Sequence, residues 1–112
     1  MKITVEELEE YLQKLYENRV SDQSLFMKLV EEIGEVAEIL NKRSGRKKAD
    51  SDDLEEQLGN ELADVIHYVV AIAAANHLDL NEIILNKDKK ASLKYNRDMN
   101  LEGFVVEKRT VE

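Results

Sequence analysis

Residues 61–80 read ELADVIHYVVAIAAANHLDL. From Val65 to Ala75 only His67 and Tyr68 interrupt an apolar run. A helix that is apolar on nearly every side has to be covered on most of them. Ala71, Ala73, Ala74 and Ala75 let a neighbouring helix come close. In a chain of 112 residues, part of that cover is expected from a second copy of the chain. Asp52, Asp53 and Glu55 suit a helix N-terminus, so the stretch predicts a helix over about 53–77.

Upstream, residues 28–40 read KLVEEIGEVAEIL. Phe26, Leu29, Val30, Ile33, Val36, Ala37 and Leu40 recur with helical period and predict a helix over about 24–43. Its apolar stripe centres near Ile33 and Leu40, with Phe26 and Leu29 expected in the core. Gly45 suits the position just past the helix end. Thr4 and Glu7 form a capping-box pair ahead of Leu8, Leu12, Leu15 and Tyr16, which predicts a first helix at about 4–18. Asp79-Leu80-Asn81-Glu82 opens a fourth, to about 97. In the tail, 98–112, Phe104-Val105-Val106 fit either a short strand or a docked segment. The expected class is all-α, a four-helix bundle-type fold in a single domain over 1–112, with an oligomer completing the core.

Composition agrees. There is no Pro and no Trp, only four Gly, and charged residues make up 36%. The absence of Cys excludes disulfides, thiolate metal sites and Cys nucleophiles. A net charge of −8 disfavours nucleic acid and anionic membrane as partners. The N-terminal MKITVEELEE has no apolar signal core, and no apolar run approaches the roughly 20 residues of a membrane span. A cytoplasmic protein is the expectation.

Each of the two central helices carries an acidic pair. Glu31-Glu32-Ile33-Gly34-Glu35 lies on one, and Glu61-Leu62-Ala63-Asp64 on the other. Carboxylates at i and i+3 stand one turn apart on neighbouring surface positions. Stepping about 100° per residue, Glu32 flanks the apolar stripe and Glu35 lies next to it, while Glu31 and Glu38 fall toward solvent. Glu61 borders the apolar face of its helix, with Asp64 and Tyr68 on the same side. Glu32, Glu35, Glu61 and Asp64 are therefore expected to face one another across a seam and to hold a hard divalent cation through oxygen ligands. Glu6-Glu7-Leu8-Glu9-Glu10 has the same EExxE spacing and reads as a solvated face. Gly34 and Gly59, inside helices, suggest close backbone packing near both pairs.

These stretches resemble the MazG-like all-α nucleoside triphosphate pyrophosphohydrolases, whose signature is EExxE, a spacer, then ExxD. The spacer here, from Glu35 to Glu61, is 25 residues, and the resemblance covers 24–97. It implies an all-α bundle that forms a homodimer or homotetramer. It also implies Mg²⁺-dependent cleavage of a nucleoside triphosphate, dNTP or NTP, between the α and β phosphates, giving a monophosphate and pyrophosphate. Mn²⁺ is a possible substitute for Mg²⁺. The metal ligands carry over to Glu32, Glu35, Glu61 and Asp64, and Glu31, the first position of EExxE, is either a further catalytic position behind them or a solvated residue. Family members hold phosphates with basic and amide residues of the last helix; here Lys87, Lys90 and Lys94 share one face, continuing that of an inward-pointing Ile83, with Lys89 off it, and form either that phosphate site or a solvated basic stripe. The expected reaction is in-line attack of water on the α phosphorus, its proton passing to a ligand carboxylate or to Glu31.

Tyr68 is a candidate for stacking on a base, against the alternative of a core or interface residue. His67 reads as a packed or interface residue, and His77 as one that favours the helix dipole. The Lys42–Lys48 cluster is a solvated loop or a cover over nucleotide. Two other functions stay open: a phosphoribosyl-ATP pyrophosphohydrolase, and a non-catalytic acidic helical module that binds proteins.

Overall fold

The computed structural model describes residues 1–17, 19–45 and 53–111, which form five helices and no strand. They are α1 (Val5–Tyr16), α2 (Asp22–Arg43), α3 (Leu54–Ala75), α4 (Leu80–Lys94) and α5 (Leu101–Val111).

Local chemistry sets the ends. The Thr4 hydroxyl accepts from the Glu7 N–H at 3.1 Å, and the Glu7 carboxylate accepts from the Thr4 N–H at 2.8 Å. Two orphan donors of α1 are thereby satisfied. Ser21 caps α2, accepting from the Ser24 N–H, so the helix starts at Asp22, two residues ahead of the expected start near 24. Gly45 follows α2 at φ 82°, a left-handed conformation that costs glycine nothing. The third and fourth helices end earlier than the sequence predicts. His77 (φ 55°) follows α3, and Asn96 (φ 53°) follows α4, and a left-handed residue does not continue a right-handed helix.

The tail resolves as α5, so Phe104, Val105 and Val106 are helical and not a strand. Asn100 initiates it: its side-chain oxygen accepts from the Gly103 N–H at 2.8 Å. A Cβ at Gly103 would lie 3.1 Å from that oxygen, so glycine leaves room for the bond.

The chain divides into two compact units, Met1–Leu78 and Asp79–Glu112. In the first, α3 packs against both α1 and α2. Its buried apolar side chains are Leu12 from α1, Leu25 and Ile39 from α2, and Val70, Ala71, Ala73 and Ala74 from α3. The alanines admit the neighbouring helices closely, as the sequence suggests. In the second unit α5 packs on α4.

Three sequence expectations are corrected. The α2 stripe facing α3 is not the one centred on Ile33 and Leu40. Leu25 and Ile39 are buried, Leu29, Glu32 and Val36 are half-buried, and Phe26, Val30, Ile33 and Leu40 are exposed. Helix α2 has two apolar stripes side by side, and periodicity alone does not say which one turns inward. Among the described residues a Cβ at Gly34 or Gly59 would meet nothing within 4 Å, so neither glycine marks a close approach to them. And α3, at 22 residues, is long and apolar enough by length and composition to cross a membrane. Within its unit, α3 packs against α1 and α2.

Candidate metal centre

The inward positions of α2, residues 25, 29, 32, 36 and 39, are spaced alternately four and three apart. Four of them are Leu, Leu, Val and Ile, and the middle one is Glu32. A carboxylate therefore occupies a position where the packing pattern calls for an apolar residue. Across from it, α3 presents Glu61 and Asp64 one turn apart. Carboxylate oxygens of Glu32, Glu61 and Asp64 all lie within 4.8 Å of one another.

The electrostatics of this trio are unfavourable in isolation. Glu32 hydrogen-bonds to Glu61, is partly desolvated, and sits in the negative field of Glu61, Asp64 and Glu31; together these push its carboxyl up to about 7. Near neutral pH it holds a proton for part of the time. Glu61 Oε2 is buried and has no hydrogen-bond partner among the described residues. An unpaired buried carboxylate oxygen is costly. A hard cation would take up that lone pair and offset the crowded negative charge, so an all-oxygen donor set of this kind fits Mg²⁺ or a similar ion.

The other residues singled out in the sequence fall as follows. Glu35 is exposed one turn along α2 and does not belong to the close trio. Glu31 is exposed, and its Oε2 pairs with Lys28 Nζ at 3.3 Å; that bond holds the Lys28 ammonium above its ordinary value. Tyr68 is half-buried, with its ring edge-on to His67 at 4.8 Å between centroids. His67 Nε2 is 2.7 Å from the Tyr16 hydroxyl, which ties α3 to α1 and makes it a packed residue. His77 is exposed beyond the end of α3.

Lys87, Lys90 and Lys94 are exposed on α4. With Ala91 and Tyr95 they line one surface hollow. Ile83 is 42% exposed and borders a neighbouring hollow with Asn86, Lys87 and Lys90, so it does not point into a core. Arg46, Lys47 and Lys48 of the basic cluster lie outside the described residues.

No curated protein and no solved structure matches the chain. A family model, the MazG nucleotide pyrophosphohydrolase domain, matches residues 20–96. That span contains both acidic pairs and all three carboxylates of the trio. The chain belongs to the MazG family and is a hydrolase acting on nucleotide pyrophosphate bonds.

Proposed function

We propose that this protein is a Mg²⁺-dependent nucleoside triphosphate pyrophosphohydrolase that cleaves between the α and β phosphates, releasing a nucleoside monophosphate and pyrophosphate. The observation that carries the metal dependence is the trio Glu32, Glu61 and Asp64, with its buried, unpartnered Glu61 Oε2. Those three residues would hold the ion, and Glu35, one turn along α2, is the fourth proposed ligand. A bound divalent cation supplies positive charge for the polyphosphate and acidifies a coordinated water.

The chain's own groups do the rest. Glu32 gives up its proton when it becomes a ligand. Glu31, beside Glu32 and paired with Lys28, is proposed as a proton acceptor together with the ligand carboxylates. Lys87, Lys90 and Lys94 are proposed to bind phosphate oxygens. Among the described residues neither Lys87 nor Lys90 has an ion-pair partner, although the chain carries 24 acidic residues. Tyr68 is proposed to stack on the base.

The test is pyrophosphate release across the common dNTPs and NTPs, with phosphoribosyl-ATP in parallel, each with Mg²⁺, with Mn²⁺ and with chelator. Release from one or more nucleoside triphosphates, lost with chelator, is the expected outcome. Turnover of phosphoribosyl-ATP alone would reassign the substrate. Release of orthophosphate would overturn the bond assignment.

A further inference from the structure

Helix α4 has two faces with different uses. At about 100° per residue, Leu85, Asp88, Lys89 and Ser92 share one side, and Lys87, Lys90 and Lys94 share the opposite side. The first side is occupied by the chain that follows it. Asp88 Oδ2 accepts from the Leu101 N–H at 2.6 Å, at the N-terminus of α5, where a negative charge is favoured. The other Asp88 oxygen lies 3.9 Å from the Arg97 guanidinium. Ser92 is buried, and its hydroxyl donates toward the Met99 carbonyl at 3.1 Å. Lys89 pairs with Glu102 at 2.8 Å. The bonds to α5 and its approach thus engage one lysine of α4, while the lysines of the other face have no acid partner among the described residues. At the end of that face, Lys94 Nζ lies 5.4 Å and the Arg97 guanidinium 5.7 Å from the Tyr95 ring centroid. Asp88, through Arg97, is therefore connected to the cation pair around Tyr95.

We propose that α5, which lies beyond the matched residues 20–96, is a brace that fixes the basic face of α4, and that Asp88 is its positioning residue. This rests on the reading of Lys87, Lys90 and Lys94 as phosphate-binding residues. Asp88 does not touch the phosphates. It anchors α5 behind α4 and holds the turn 95–100, so that the last turn of α4, with Lys94, does not fray.

The experiment uses the full chain and inorganic pyrophosphate as the probe, bound in Mg²⁺ buffer and followed by calorimetry. Amide exchange at Leu101 and Gly103 reports docking of α5. Asp88→Ala is expected to speed exchange at both amides and weaken pyrophosphate binding about fivefold, the scale of a lost helix cap. In nucleotide hydrolysis it raises KM and leaves kcat unchanged. Asp88→Asn keeps an oxygen acceptor for the Leu101 N–H and is expected to bind within about twofold of the parent. Lys90→Ala is the control for the underlying reading, expected to weaken pyrophosphate binding about threefold or more. If Lys90→Ala weakens binding and Asp88→Ala does not, the brace is overturned while the phosphate reading stands. If Lys90→Ala has no effect, the phosphate reading fails and the brace falls with it. Unchanged exchange at Leu101 in Asp88→Ala, or a loss confined to kcat, also overturns the proposal.

Discussion

Glu32 is the residue around which the site is organised. It sits in the apolar register of α2, shares a hydrogen bond with Glu61, and has its carboxyl raised to about 7. A carboxyl whose folded pKa exceeds its unfolded value binds more protons in the folded state, so its contribution to stability is full below the ordinary value of 4.5. That contribution is lost as pH rises through about 7. The metal-free protein, in chelator, is therefore expected to lose melting temperature across that window. The stabilisation given by added Mg²⁺ is expected to grow over the same window, because the ion competes with the proton for Glu32. Melting curves at several pH values, with and without Mg²⁺, check both trends. Replacement with the neutral isostere separates charge from shape. Glu32→Gln is expected to raise the melting temperature of the metal-free protein near pH 8 by removing like-charge repulsion, and to abolish the Mg²⁺ response. Activity of Glu61→Gln or Asp64→Asn is expected to fall about 100-fold or more, and a folded variant that kept full activity would remove that residue from the ligand set.

At the level of elements, α3 is held from both sides. Its link to α1 includes the 2.7 Å bond between the Tyr16 hydroxyl and His67. Burial, followed by the nearby Tyr68 and Tyr11, pushes the Tyr16 phenol above its ordinary value, so it remains a neutral hydroxyl that can serve the ring nitrogen. Tyr16→Phe is expected to cost about 1 kcal/mol in urea unfolding, the usual worth of such a bond. Mg²⁺ affinity should be unchanged, since the trio lies between α2 and α3. On the other side, the four–three spacing of α2 decides where Glu32 points. The sequence signal was present in Leu25, Leu29, Val36 and Ile39, but a competing stripe of Phe26, Val30, Ile33 and Leu40 has equal periodicity and more conspicuous residues. Position of the acidic pairs on the two helices was legible for the same reason that the helices were: spacing of one turn is a local property. Three of the four carboxylates expected at the seam, Glu32, Glu61 and Asp64, do converge; that Glu35 stands apart was not legible, because it depends on the rotation of one helix against another.

For the whole molecule, the exposed stripe on α2 has counterparts on α3. Phe26, Met27 and Ile33 of the one and Ile66 of the other are each more than half exposed. Apolar side chains in such number on one unit signal an interaction surface. We propose that the chain self-associates as a homodimer or homotetramer through them. Sedimentation is expected to give a mass at least twice that of the 12.9 kDa chain. Ile33→Lys with Ile66→Lys is expected to shift it toward the monomer, because buried unpaired charges oppose association.

The helical class, the capped start of α1, the αL glycine after α2 and the two acidic pairs followed from the sequence alone, since each depends on residues within one or two turns of one another. The strand-or-tail ambiguity of 98–112 was settled by Asn100, whose cap bond to Gly103 is local, and by Asp88, thirteen residues before the N–H it serves. The inward face of α2, the exposure of Phe26 and Ile33, and the separation of Glu35 from the other three carboxylates were decided by tertiary packing. Helical periodicity fixes which residues share a side, but the side that is buried is chosen by the surface that meets it.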